Sequence, residues 1–200
     1  MNANTVTIGE VRLSYVNLFE PRAPQGGGEP KYSVTILLPK GNTAAMEAIT
    51  GAVEAAKQAG IAKKWGGRLP AKIASSIHDG DGLRDNGEPF GEECRGHWVF
   101  TASCKAKPPV VDRNVQPIID TDDVYSGCYA NVNISFFPYD AAGKRGIGCG
   151  LNCVQKVRDG EPLGGQVSVS EAFQPVADAA PAVPGTDMVY DPLTGGFRKA

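Results

Sequence analysis

GCYANVNISFFPY, residues 127–139, is the stretch that decides the fold. Side chains alternate between the two faces of a β-strand, so residues two apart lie on the same face. One face is apolar and predicts a buried side: Cys128, Ala130, Val132, Ile134 and Phe136. The other carries aromatic rings and short polar groups without charge: Tyr129, Asn131, Asn133, Ser135 and Phe137. Flat rings separated by small polar groups are typical of sheets that bind unpaired nucleic-acid bases.

Several more segments alternate in the same way, and their turn-rich surroundings favour short strands. We predict strands at residues 6–15, 31–39, 97–105, 125–137 and 147–157. This inventory predicts a mainly β fold, an OB-like, partly open Greek-key barrel of about five strands with one main α-helix and a flexible C-terminal tail. A β-sandwich is the competing architecture, because strand order cannot be read from one sequence.

The main helix is predicted at residues 43–59. Asn42 or Thr43 is the expected N-cap, and Gly60 is the expected stop signal. Its apolar stripe contains Met46, Ile49, Val53 and Ala56, which we expect to cover an end of the barrel. A short helix is expected near residues 170–174, and the Ala/Pro-rich residues 175–185 read as a linker. We therefore predict a domain at residues 1–173 and a tail at 174–200.

Composition limits the classes of function. The 200 residues are 42% hydrophobic, which is enough for a buried core, and the formal net charge of -2 argues against a uniformly basic, histone-like protein. Five cysteines and no recognisable signal peptide favour a reducing, cytosolic setting with free thiols. No apolar run approaches the roughly 18 residues of a membrane-spanning helix, so no membrane association is expected.

The polar face of residues 127–139 is the candidate binding surface. Tyr129 and Phe137 are expected to stack on different bases, with Tyr125 and Tyr139 flanking them. Asn131 and Asn133 are expected to hydrogen-bond nucleotides. The alternative is a face covered by the helix or by a partner in a homodimer, where the rings are simply core.

Two basic groups of residues are candidates for phosphate contacts. Lys105, Lys107 and Arg113 surround a Pro-Pro turn. A Gly-rich, exposed loop is expected to carry Lys63, Lys64, Trp65 and Arg68. The alternative for either group is an ordinary solvated surface.

Evidence for catalysis or for a bound metal is weak. Cys149 and Cys153, together with Cys94 and His97, are four candidate zinc ligands. The paired CxxC spacing that is typical of zinc sites is missing. The sequences Asp79-Gly-Asp81 and Asp122-Asp123 are also typical of turns. We predict no catalytic residue, metal or cofactor. The alternative to a non-catalytic binding protein is a metal-dependent nuclease or junction-processing enzyme. A virion or assembly protein with a sandwich fold is the third class of function considered.

Five segments in the same order resemble a family of bacteriophage single-stranded-DNA-binding proteins with an OB-type barrel. They are RLSYVNLFEP (12–21), GGEPKYSVTILLPK (27–40), VVDRNVQPI (110–118), VYSGCYANVNISFFPYD (124–140) and GIGCGLNCVQKVRDGEPLGG (146–165). The resemblance implies a non-catalytic protein that coats unpaired DNA in phage replication, recombination or repair. It also implies recruitment of phage or host proteins through an acidic tail, although the tail here is only mildly acidic and ends Phe197-Arg198-Lys199-Ala200.

Overall fold

The computed structural model describes residues 2–24, 27–84, 86–141, 143–164, 188–191 and 195–199, in two compact units, Met1–Gly164 and Gly165–Ala200. The strands of the first unit are β1 (Thr5–Arg22), β2 (Lys31–Pro39), β3 (Ile77–Asp79), β4 (His97–Cys104), β5 (Val110–Val111), β6 (Tyr129–Ala141) and β7 (Lys144–Arg158). One α-helix, α1 (Thr43–Lys63), separates β2 from β3, and short 3-10 helices cover Glu92–Cys94 and Thr121–Asp123.

Five strands form a closed barrel. The sheet order is β3-β4-β2-β1-β6-β7-β5, and an additional parallel pairing of β4 with β7, at Ser103 and Gly150, joins the two sides. The barrel strands in chain order are therefore β1, β2, β4, β6 and β7, with β3 and β5 added at the margins. This is the five-stranded OB-type architecture predicted from the sequence, and all five predicted strands are present.

Alternation of apolar residues explains why the strands close around one core. The even-numbered residues of β6 from Ala130 to Phe136 are fully buried, so the two-face prediction for this strand is confirmed. They pack in one cluster with buried residues of every other barrel strand, including Leu13, Ile36 and Phe100. Burial of such side chains is the main stabilising term for a barrel of this size.

β1 is longer than predicted. It runs to Arg22, seven residues beyond the predicted end at residue 15. The register of its pairing shifts between Ile8 and Val11 against β6, and again beyond Ser14 against β2. These irregularities are β-bulges, which bend a strand and let it follow the curve of a barrel. β6 also differs from prediction, since it begins at Tyr129 rather than at residue 125.

Helix α1 begins as predicted but ends later. The Asn42 side chain accepts a hydrogen bond from the Ala45 amide at 3.1 Å, which confirms the N-cap. Gly60 does not stop the helix, because α1 continues to Lys63. Gly60 is buried instead, and the missing side chain lets the Trp65 ring pack on the helix. The buried face of α1 joins the barrel core through Ile49, Ala52 and Ala56.

The second unit contains a two-stranded antiparallel sheet of β8 (Met188–Asp191) and β9 (Gly196–Lys199). The sequence did not predict these strands. The predicted linker at 175–185 and the short helix at 170–174 lie outside the described residues. Within the described ranges, no helix combines the length and the apolar character needed to cross a membrane.

Candidate nucleic-acid interface

The outer face of β6 presents the polar and aromatic residues that the sequence placed there. Its residues are at least partly exposed, and Phe137 is 45% exposed. Phe137 pairs with Gly148 and Tyr139 pairs with Gly146 across the hairpin with β7. A Cβ atom at Gly148 would lie only 2.6 Å from Phe137 Cζ, and one at Gly146 would overlap the Tyr139 ring. The two rings therefore lie over glycines of β7.

The amides of β6 hold the sheet together. Asn131 Oδ1 accepts from the Glu10 amide at 2.9 Å, and its Nδ2 donates to Gln155 Oε1 at 2.9 Å. Asn133 Nδ2 donates to Thr7 Oγ1 at 2.7 Å, and Asn133 Oδ1 accepts from Asn152 Nδ2 at 2.7 Å. These bonds cross three strands and fix the amides in place. Each amide keeps a second N–H and a second lone pair for other partners.

Tyr129 differs from the other two rings, because a cation lies over it. The guanidinium carbon of Arg158 is 3.5 Å from the centre of the Tyr129 ring. Arg158 also donates to Glu10 Oε1 at 2.7 Å. Tyr129 and Arg158 are partners in the pairing of β6 with β7, whereas Glu10 comes from β1, so no local sequence pattern indicates the arrangement of all three.

Tyr125 precedes β6 and has a structural position. Its hydroxyl donates to the Gly160 carbonyl oxygen at 2.8 Å and accepts from the Gly160 amide at 3.2 Å. The half-buried ring packs against the core. Tyr125 therefore anchors the turn that follows β7, and the prediction that it belongs to the β6 strand is wrong.

Trp65 is not an exposed binding residue. It is 4% exposed, and its indole Nε1 donates to the Tyr139 carbonyl oxygen at 3.2 Å. The sequence-based interpretation of an exposed aromatic loop is wrong because the ring fills the space that Gly60 leaves on α1. Lys63 and Lys64 belong to the end of this helix rather than to a loop. Together with Arg68 they remain exposed, and the Trp65 bond holds their segment near the Tyr139 end of β6.

The other three predicted cations occupy two places. Arg113 lies near the opposite part of β6, because its carbonyl oxygen accepts from Gln155 Nε2 at 3.3 Å. Lys105 forms an ion pair with Glu29 at 2.5 Å, and the Lys107 ammonium lies 5.6 Å from the centre of the Phe19 ring. Lys105 and Lys107 are thus held beside β1 and the connection between β1 and β2. The predicted cations do not form one continuous row.

A second surface was missed by the sequence analysis. A groove of about 610 Å³ opens on the outer side of β1, β2, β3 and β4. Its floor contains hydroxyl groups, including Thr35 and Thr101, whose oxygens are 3.0 Å apart. The outer face of the second and third strands is the usual oligonucleotide surface of OB-type barrels, and here those strands are β2 and β4.

Aromatic and basic groups line the walls of the groove. The rings of His78 and Phe90 are 6.1 Å apart, and the Arg84 guanidinium lies 5.2 Å from the centre of the Phe90 ring. Tyr15 is 64% exposed and has a positive φ of 45°. The outward alternation of Thr35 and Thr101 was a usable signal. His78, Arg84 and Phe90 had none, because they lie in a segment that reads as an irregular loop.

Two residues of the alternative nuclease site, Asp79 and Asp81, have another role. Asp79 and Asp81 both pair with Lys40, at 2.5 and 2.6 Å, and Asp81 Oδ1 accepts from the Gly96 amide at 2.9 Å. Hydrogen bonds from Lys40 hold the pKa of both carboxyl groups below their usual value. In the part of the chain that the structure describes, no three His, Cys, Asp or Glu side chains lie close enough to hold a metal ion.

The five cysteines are free thiols, and they do not come together as a metal site. Burial raises the pKa of Cys149 to about 12 and that of Cys94 to about 11. Cys94 packs with Leu37 and Val99 in a small apolar cluster, whereas Cys149 belongs to the barrel core. Alternation along the strand at residues 31–39 places Leu37 on the outward face, and this cluster explains why it is nevertheless buried.

Comparison with known proteins identifies similar chains. The family model described as Enterobacter phage Enc34, ssDNA-binding protein, matches residues 4–183. Protein p50 of Acyrthosiphon pisum secondary endosymbiont phage 1 is 35% identical over 179 residues, which are 87% of this chain and 95% of that protein.

Solved structures of phage single-stranded DNA-binding proteins are also similar to this chain. The single-stranded DNA-binding protein from bacteriophage Enc34 in complex with ssDNA matches with a TM-score of 0.69 and 29% identity, covering 80% of this chain and 90% of that one. Gp2.5, a single-stranded DNA binding protein encoded by bacteriophage T7, matches with a TM-score of 0.55 and 16% identity, covering 88% of this chain and 98% of that one. The second likeness shows a shared fold.

Proposed function

This chain belongs to the family of the Enterobacter phage Enc34 ssDNA-binding protein, and we propose that it binds and coats single-stranded DNA without sequence preference during phage replication, recombination or repair. The observation that carries this proposal is the uncharged, aromatic outer face of β6, on the barrel that the chain shares with the Enc34 protein solved with ssDNA. The protein acts in the host cytosol.

Base stacking on the β6 face supplies affinity without sequence preference. Phe137 and Tyr139 present rings that lie over glycines, and Tyr129 lies further along the strand. Stacking on an aromatic ring contributes roughly 1–3 kcal/mol per base, and every base has a π-face. Asn131 and Asn133 use their remaining N–H groups and lone pairs for hydrogen bonds that adapt to any base.

The groove on β2 and β4 extends the path of the bound DNA strand around the barrel. Arg12 of β1 pairs in register with Tyr129, and Ser14, two residues further, pairs with Thr35. Ser14 also lines the groove. A DNA strand that leaves the Tyr129 end of β6 therefore reaches Tyr15 and Phe90. Arg84 is then available to bind one of its phosphates.

Phosphate contacts come from cations at both ends of β6. Arg113 lies near the Asn131 end, and Lys63, Lys64 and Arg68 lie near the Tyr139 end. Lys105 and Lys107 bind phosphates of a DNA strand that passes the connection between β1 and β2. Cations that neutralise phosphates make binding sensitive to salt, because each contact releases counterions.

No catalytic step is part of the proposed function. Two of the carboxylates considered for a nuclease, Asp79 and Asp81, are held by Lys40. The protein should leave labelled DNA intact in the presence of Mg²⁺ or Mn²⁺, and cleavage that is lost in Asp79→Ala would favour the nuclease instead. Recruitment of replication or recombination proteins through the C-terminal tail and formation of a homodimer remain predictions.

A gel-shift comparison tests the proposal. Oligothymidine, a duplex of equal length and the matching RNA are compared at two salt concentrations. We expect strong retention of oligothymidine and weak retention of duplex DNA. Lys63→Ala and Arg84→Ala should each weaken the retention of oligothymidine, whereas the control Lys57→Ala, which removes a helix lysine paired with Glu54, should not. Equal binding of duplex and single strand would overturn the proposal.

A further inference from the structure

One face of the Tyr129 ring is already occupied. Arg158 stacks on the ring with its guanidinium carbon 3.5 Å from the ring centre. Gly160 lies at the edge of the same ring, where a Cβ atom would be 2.8 Å from Tyr129 Cε2. A DNA base cannot take this face of Tyr129 unless Arg158 moves away.

Glu10 holds Arg158 in this position. Arg158 Nε donates to Glu10 Oε1 at 2.7 Å, and both side chains are about half exposed. Glu10 lies in the bulge between Ile8 and Val11, where the register of β1 against β6 shifts. The bulge therefore brings a carboxylate of β1 to the end of β7, across the intervening strand.

The backbone at Glu10 has an unusual conformation that is fixed locally. Its φ of 46° is in the left-handed region, which few residues other than glycine adopt. The Glu10 amide donates to Asn131 Oδ1 at 2.9 Å, and Asn131 is bound in turn to Gln155. Uncommon backbone conformations persist where the surroundings determine them, and they are frequent at ligand sites.

We propose that Glu10 is a positioning residue that limits DNA affinity by competing with a phosphate for Arg158; this inference rests on the proposed function. Without DNA, Glu10 keeps the guanidinium on the Tyr129 ring. When a strand binds, Arg158 exchanges the carboxylate for a phosphate, and a base takes the uncovered ring. The exchange is chemically matched, because the planar guanidinium binds carboxylate and phosphate in the same forked geometry.

Other charged groups at this end of the barrel are held differently. Arg12 donates to the Glu161 carbonyl oxygen at 2.7 Å, and Lys156 pairs with Asp159 at 2.8 Å. Lys156 lies 5.9 Å from the Tyr125 ring, but the Tyr125 hydroxyl is bound to Gly160. Among these groups, Arg158 is the one whose guanidinium stacks directly on a ring, 3.5 Å from the Tyr129 centre, while an acid holds it.

A double-mutant cycle tests the proposal on the full chain, with affinity for oligothymidine as the readout. The variants are Glu10→Gln, Arg158→Gln and the double variant, and thermal unfolding checks that each is folded. Glu161→Gln is the control, because Glu161 is exposed in the same region and its carboxylate has no ion pair within the described ranges. It measures the effect of removing one negative charge near DNA.

Glu10→Gln should raise the affinity about two- to fivefold, the range expected for an exposed ion pair, and by more than Glu161→Gln does. In the Arg158→Gln background the same change should have no more effect than the control. An equal gain in both backgrounds, or a loss of affinity in Glu10→Gln, would overturn the proposal while leaving the function intact. A wild-type protein that does not bind oligothymidine would overturn the proposed function itself.

Discussion

Phe137 lies over Gly148, its partner in the neighbouring strand, and a Cβ atom at position 148 would be 2.6 Å from Phe137 Cζ. Real Cβ atoms do not approach another atom so closely, so a side chain at this position must displace the ring. Gly146 and Gly148 lie under the Tyr139 and Phe137 rings, respectively. Their role is to leave room for two rings on the outer face of the hairpin.

Gly148→Ala should weaken binding of oligothymidine while the protein stays folded, because the ring moves but nothing in the core changes. We expect the loss to be a part of the roughly 1–3 kcal/mol that one stacked base contributes. Gly51→Ala is the control, since a Cβ atom there has no neighbour within 4 Å. An unchanged affinity in Gly148→Ala would show that the position of the Phe137 ring does not matter.

Phe136 and Phe137 are adjacent but face opposite sides of β6, with exposed fractions of 0% and 45%. Phe137→Ala should cost about 1–3 kcal/mol of binding free energy and little stability. Phe136→Ala should lower the free energy of unfolding by about 3–5 kcal/mol through the cavity it leaves. Oligothymidine titration and urea denaturation measure the two effects, and a large loss of stability in Phe137→Ala would mean that the ring is part of the core.

Gly60 and Gly51 lie in the same helix, where replacing glycine by alanine usually stabilises by up to about 1 kcal/mol. Gly51→Ala should follow this rule. Gly60→Ala should instead destabilise by about 1–3 kcal/mol, because its Cβ atom would be 2.7 Å from Trp65 Cζ3 and 2.8 Å from Pro138 Cβ. Thermal unfolding of both variants decides the matter, and a more stable Gly60→Ala would contradict the packing of Trp65 on α1.

Lys40 links β2 to the segment that carries the groove, through Asp79 and Asp81. Because Lys40 lowers the pKa of both carboxyl groups from 3.8, their contribution to stability is present above that pH and is lost as the pH falls below it. Thermal unfolding should therefore show a fall in stability below about pH 4 that is smaller in Lys40→Met. Lys72→Met, at an exposed site, should keep the wild-type acid response, and an identical pH profile for all three proteins would refute the assigned role of Lys40.

Local patterns predicted the barrel strands and the N-cap at Asn42, because alternation and capping depend on neighbouring residues. The packing of Trp65 was not predictable in this way, since its partners Gly60, Pro138 and Tyr139 include residues distant in sequence. A tryptophan between lysines and glycines looks exposed until the fold brings those partners together.

The groove could not be predicted from local sequence patterns for the same reason. Its wall residues His78, Arg84 and Phe90 follow an irregular segment whose course depends on long-range contacts, such as the Gly80 amide donating to the His97 carbonyl oxygen at 2.9 Å. The ion pair of Arg158 with Glu10 likewise involves the bulge in β1, which lies two strands away from β7. Each of these features depends on residues that are distant in sequence and have no common local pattern.

The salt dependence of oligothymidine binding tests the central claim most directly, namely that an aromatic barrel face and separate cations bind the strand together. In the wild type, the logarithm of the affinity should fall linearly with the logarithm of the salt concentration, with a slope near -0.7 for each phosphate neutralised. Phe137→Ala should lower the affinity at every salt concentration and leave the slope unchanged, whereas Lys63→Ala should make the slope shallower. A wild-type affinity that does not change with salt would contradict the account.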